Sequence, residues 1–206
     1  MFPLSTVLFP GAQLPLHVFE PRYQALVRDV LDGDGRFGIV LISRGHEIGG
    51  GDERTSVGTV VTVQHHQPLA DGHALLLVAG VERIRVVRWL PDAPYPVALV
   101  EPAPEPAVDP AALELEATFA AVRRARGLWS EVRDAPALEA SVVLGPDPFD
   151  AAWLCCALSP LGLFDAQRLL EQDDPVARLE TLRSHCAEVA STALELLATG
   201  REPTLS

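Results

Sequence analysis

The chain has 206 residues, 48% of them hydrophobic and 21% charged, enough apolar material for one large core or two small ones and too much for an unfolded chain. Its 28 acidic side chains outnumber 16 basic ones, a net charge of −12. A surface this anionic repels phosphate backbones, so nucleic acid is an unlikely partner. All 16 basic residues are arginine, which excludes every enzyme class built on a Walker A lysine, a Ser-Lys dyad or a Schiff-base amine.

The first half reads mostly as strands. Val7, Phe9, Leu14, Leu16 and Val18 alternate with small or polar residues about Pro10-Gly11, the pattern of half-buried extended chain around a turn. Glu20-Pro21 opens a helix with Tyr23, Leu26, Val27, Val30 and Leu31 as its apolar stripe and Gly33 as its stop. Residues 36–43 form a short apolar run, and 56–64 carry Val57, Thr59, Val61 and Val63, both strand signals. Asp71-Gly72 marks a hairpin turn into 74–78, followed by strands over 81–89 and 96–101. Residues 101–106 then place proline at every second position, which makes a stiff linker unable to donate to a ladder.

Beyond the linker the apolar period is helical. Asp109-Pro110, Asp147-Pro148 and Asp174-Pro175 repeat one start signal, in which the carboxylate caps free amides and proline presets the first helical φ. Helices are expected near 111–129, 149–158, 165–172 and 175–199. The last has Val176, Leu179, Leu182, Cys186, Val189, Ala193 and Leu197 on one face and Gly200 as its stop. Two domains follow, 1–106 and 107–206, the second holding most of the negative charge.

The search for chemistry returns no catalytic set. In a zincin motif starting at His46-Glu47 the second histidine would fall at Gly50. Arg36 spoils the calcium-loop resemblance of 32–36. The glycines at 49–51 lie between two strands and feed no helix N-terminus. His65 and His66 are neighbours on a strand and face opposite ways unless it bulges. Arg83 and Arg85 share a strand face and read as surface ion pairs. Cys155, Cys156 and Cys186 lack metal-ligand spacing and read as small apolar residues inside helices. The start lacks a basic n-region and no apolar run is long enough for a bilayer. The expectation is a cytoplasmic protein with no membrane contact, no cofactor, no metal and no enzyme activity.

Leu4 to Tyr23, reading L-S-T-V-L-F-P-G-A-Q-L-P-L-H-V-F-E-P-R-Y, resembles the opening of the Lon protease amino-terminal domain family. The likeness continues through Phe37-Gly38-Ile39-Val40, residues 47–52, Val57-Gly58-Thr59-Val60, residues 80–86 and Pro94-Tyr95, and into the helical tail at 168–173 and 178–182. The resemblance implies an α+β fold, a PUA-like bent β-barrel with one inserted helix followed by a C-terminal helical bundle. It implies recognition of unfolded or tagged substrates, with the ATPase and the Ser-Lys protease in separate downstream domains whose lysines this chain lacks.

The function expected is therefore a stand-alone, non-catalytic protein- or peptide-binding module, an adaptor in protein quality control. Its partners would be unfolded or extended polypeptide and an ATP-dependent protease in trans. The loop 43–56 could cover a peptide groove, and His46, Gly49, Gly50, Gly51, Asp52, Arg54, Trp89 and Tyr95 are the candidate contacts. Two alternatives stay open: RNA binding by a PUA-like barrel, and a small-molecule enzyme using histidines and carboxylates in a barrel–bundle cleft.

Overall fold

A computed structural model describes residues 1–44, 53–133, 137–139 and 141–199. The protein is mixed α+β and divides into two compact units, residues 1–104 and 105–206. The first contains β1 (Phe2–Leu4), β2 (Gln13–Val18), α1 (Pro21–Asp32), β3 (Arg36–Arg44), β4 (Glu53–Pro68), β5 (Ala74–Leu90) and β6 (Val97–Pro102). These strands form one sheet in the order β1-β3-β4-β5-β2, with β6 also paired to β5. β1 runs parallel to β3 and every other pairing is antiparallel.

The sheet bends because its ladders slip. Register shifts interrupt β3–β4 after Val40 and Ile42, β4–β5 after Val60 and Val63, and β5–β6 after Val86, and each bulge adds local twist and curvature. The sheet remains open, with no ladder joining β1 to β2 among the described residues. Its concave face and α1 enclose a core of Leu16, Val18, Tyr23, Leu26, Ile39 and Val78, among others.

Where structure and sequence differ, the reasons are local. The expected strands 74–78 and 81–89 are one strand, paired with β4 on both sides of Gly80, where the backbone of Phe9 approaches closely. A Cβ at Gly80 would overlap the Phe9 carbonyl, while Gly80 N–H donates to Ala12 O at 2.9 Å and Gly11 N–H donates to Gly80 O at 2.9 Å. Val7 and Phe9 belong to no ladder; the chain there closes a turn, with Ala12 N–H donating to Phe9 O at 3.1 Å and Gly11 at φ 76°. A Pro-Gly pair at the turn's centre satisfies that geometry. Leu31 leaves the α1 stripe and is exposed, one residue too far round the helix. The bulge after Val63 leaves His65 opposite Leu77 and His66 opposite Leu76, so the two imidazoles still face opposite ways. Arg83, expected at the surface, is buried.

The second unit holds a 3-10 turn (Pro110–Leu113), α2 (Leu115–Arg133), α3 (Pro148–Leu158), α4 (Leu163–Glu171) and α5 (Pro175–Thr199). All three Asp-Pro carboxylates cap as expected, but Asp109-Pro110 opens only the 3-10 turn, and α2 begins at Leu115 after Glu114 at φ 48°. Asp109 accepts from Ala111 N–H, Asp147 from Phe149 and Asp150, and Asp174 from Val176 and Ala177. α2 packs along α5, and Arg183 ties them by donating to Thr118 Oγ1 at 2.9 Å and pairing with Glu114 at 3.0 Å. The α5 face differs from expectation at both ends: Leu197 is exposed and Arg178 is fully buried. Arg178 lies 3.6 Å from the Trp153 ring centroid, pairs with Glu105 at 2.5 Å and donates to Gln172 O at 3.3 Å. No helix among the described residues is long and apolar enough to cross a membrane.

Candidate functional site

The two strands at the ends of the sheet each carry a proline, Pro3 in β1 and Pro15 in β2. Proline cannot donate to a ladder and is tolerated at an edge. Between these edges lies a cleft of about 640 Å³ lined by Phe2, Leu4 and Ser5 from the β1 side and by residues 15–18 of β2. Phe19, Glu20 and Tyr23 close it at the start of α1. Its floor is aromatic: Phe2 stacks on Tyr23 with centroids 4.1 Å apart and planes 9° apart, and tilts against Phe37 at 6.1 Å. The charge of Glu20 is neutralised by Arg22 at 3.1 Å, whose guanidinium lies 4.5 Å from the Tyr23 ring centroid.

Phe19 at the mouth of the cleft is 43% exposed. It occupies the position before the α1 cap, where an apolar residue ordinarily packs against one four positions into the helix. That position here is Gln24, which instead donates its amide to Phe19 O at 3.0 Å. The phenyl ring is left unstapled, with His17 at 5.7 Å and His73 at 6.4 Å between ring centroids. The site thus joins an apolar floor, an exposed aromatic mouth and two backbone edges with one side of each ladder open, features that bind extended chain by strand addition and side-chain pockets.

Of the contacts expected from sequence, His46, Gly49, Gly50, Gly51 and Asp52 lie outside the described residues. Arg54 and Trp89 come together, the guanidinium 4.6 Å from the ring centroid. Tyr95 is directed elsewhere: its hydroxyl donates to Asp29 Oδ2 at 2.6 Å. That hydrogen bond is the first cause of a phenol pKa above its ordinary value, with burial and the aspartate charge adding to it. The cleft itself was missed in the sequence, although Pro15 within a strand pattern signals an edge and Gln24 signals an unstapled Phe19.

The cysteines offer no nucleophile. All three are buried and free, and burial pushes Cys155 and Cys156 up to about 12 and Cys186 to about 11. At neutral pH they are thiols, unreactive as nucleophiles or metal ligands. Among the described residues no group of three or more His, Cys, Asp or Glu could hold a metal ion.

A bent open sheet with one inserted helix, continuing into a helical unit, defines an α+β domain class whose members can be compared over the whole chain. The chain belongs to the ATP-dependent protease La (LON) substrate-binding domain family, which it matches over residues 1–187. A Lon protease of Trichlorobacter lovleyi is 30% identical over 208 residues, covering 96% of this chain and 25% of that one. A Lon N-terminal domain protein from Xanthomonas campestris is similar in structure, with a TM-score of 0.61, 29% identity and coverage of 89% of this chain and 95% of that one. The N-terminal domain of Mycobacterium avium complex Lon protease shares the fold, with a TM-score of 0.61 at 19% identity over 90% of this chain and 97% of that one. The chain spans about a quarter of the length of the curated Lon protease.

Proposed function

We propose that this chain is a non-catalytic recognition module that binds extended polypeptide in the cleft between β1 and β2, and that it acts as an adaptor presenting the bound chain to an ATP-dependent protease in trans. The bend of the sheet is read as PUA-like, an incomplete barrel whose seam is the binding site, and the helices of the second unit as a bundle. The observation that carries the reading is the seam itself: two sheet edges across an apolar cleft of about 640 Å³, with Phe19 exposed at its mouth. Family membership supports it. A bound segment adds main-chain hydrogen bonds to an edge and places alternate side chains on the aromatic floor. Pro15 removes one donor, which favours a short segment over a long ladder. Arg54 and Trp89, with His46, Gly49, Gly50, Gly51 and Asp52 close to Arg54 in sequence, form a second contact region in this proposal.

The test is fluorescence anisotropy with a dye-labelled, reduced and carboxymethylated lactalbumin as a permanently unfolded client. Binding is expected. Phe19→Asp removes an exposed ring outside the core and should weaken binding about tenfold or more, the equivalent of one buried phenyl group, while the thermal melt stays within a few degrees. No binding, or equal affinity of a folded Phe19→Asp variant, overturns the cleft as the site.

A further inference from the structure

We propose that the helical unit carries a separate ligand site, a pocket for a peptide carboxylate flanked by an apolar side chain. Arg126, Trp129, Ser130 and Arg133 stand at the i, i+3, i+4 and i+7 positions of α2, one face of the helix. Ser159, Pro160 and Leu161, at the end of α3 and beyond, face them across a cavity of about 630 Å³. The guanidinium of Arg133 lies 5.2 Å from the Trp129 ring centroid. Arg126 spends one donor on Leu158 O at 3.2 Å, the carbonyl end of α3, and a guanidinium has five.

Charge selects an anion. Neither arginine has a carboxylate partner among the described residues, in a chain with 28 carboxylates for 16 arginines. Two guanidinium groups sharing one cavity repel each other unless an anion enters, and planar forks suit a carboxylate. The apolar wall of Trp129, Pro160 and Leu161 takes the hydrocarbon beside that group.

The hydroxyls select a peptide. Ser130 donates to Gly127 O at 2.7 Å and Ser159 donates to Cys156 O at 2.6 Å. Both protons are committed, so each oxygen offers lone pairs to the cavity. A ligand that brings an N–H close to its carboxylate satisfies them, as peptide backbone does; a bare carboxylate such as acetate brings no such donor. The strong negative charge of the whole chain also disfavours a polyanion such as nucleic acid. The inference goes beyond the seam and stands without it. Either a chain-terminal carboxylate or an Asp/Glu side chain supplies the chemistry.

Three amino-terminally fluorescein-labelled peptides separate the sources: Gly-Ser-Gly-Ser-Gly-Ala-Leu-Phe with a free carboxyl terminus, the same peptide amidated, and an amidated peptide with Glu before Phe. Anisotropy is expected to show binding of the free acid, of the glutamate peptide, or of both, and affinity at least about tenfold lower for the neutral amide. Arg133→Gln, at an exposed position, should weaken the acidic peptide about tenfold without lowering the melt, and raised salt should weaken it further. The preference for an acidic peptide over the neutral amide should persist in Phe19→Asp, whose seam is impaired, which separates the pocket from the seam. Neither acidic peptide binding more tightly than the neutral amide, an acidic-peptide affinity unaltered in Arg133→Gln, or no binding by either acidic peptide overturns the proposal.

Discussion

Tyr95 shows how the fold can hold a residue that has the chemistry of a ligand contact. Its hydroxyl donates to Asp29 Oδ2 at 2.6 Å, linking the segment before β6 to α1. The aspartate favours the neutral phenol, and ionisation would place a second negative charge beside it, so the phenol pKa is raised in the folded protein. The unfolded chain then loses this proton first as pH rises. The stabilisation is complete below the unfolded value near 10 and is lost as pH climbs through the folded value. Asp29→Asn removes the charge and should lower the Tyr95 midpoint. The chain has two tyrosines, so tyrosinate absorbance at 295 nm, with Tyr95→Phe as the reference, isolates this group. A midpoint that does not move would show that the bond does not form in solution.

The helix starts carry the clearest prediction at the scale of the element. Asp147 accepts two amide bonds, from Phe149 and Asp150 at 2.9 Å each, and caps an α-helix that buries Ala151, Ala152, Trp153, Cys155 and Cys156. Asp109 accepts one, from Ala111 at 3.0 Å, and caps only a 3-10 turn. Asp147→Ala should cost about 1 kcal/mol in denaturant midpoint experiments, and Asp109→Ala less; the reverse order would deny the carboxylates their capping role. These starts were legible because cap, proline and helix lie within four residues of one another. β1 was not: Pro3 argues against a strand, and its pairing with 39–41 of β3 is a long-range event that overrides local preference. The seam was half legible. Pro15 and Gln24 mark an edge and a missing staple, but only curvature built over the four register shifts between β1 and β2 brings those strands opposite each other. The α2 pocket divides the same way, its arginine–tryptophan face readable from spacing and its Ser159–Leu161 wall supplied by packing. Arg178 was missed because a helix pattern read by hydropathy assigns an arginine to water.

Across the whole molecule, the absence of lysine acquires a structural meaning. All three tryptophans have a guanidinium near the ring: Arg54 with Trp89, Arg133 with Trp129 and Arg178 with Trp153. A planar cation can lie against an aromatic face and still direct its N–H groups to acceptors, which an ammonium point charge cannot do. The demand is greatest at Arg178, fully buried between the Trp153 ring, Glu105 and the Gln172 carbonyl. It holds Glu105, within the proline-rich stretch 101–106, against α5. Arg178→Met supplies similar volume but leaves the Glu105 carboxylate without its cation, and should cost about 3–5 kcal/mol. Arg178→Lys keeps the charge and should still destabilise, since lysine cannot keep the ring contact and both oxygen partners together. Adding Glu105→Gln to Arg178→Met should recover part of the loss by removing the orphaned charge. Urea unfolding followed by circular dichroism measures all three variants. A lysine variant as stable as the parent would mean that charge alone is required at this position, and the link between an all-arginine composition and aromatic stacking would fall with it.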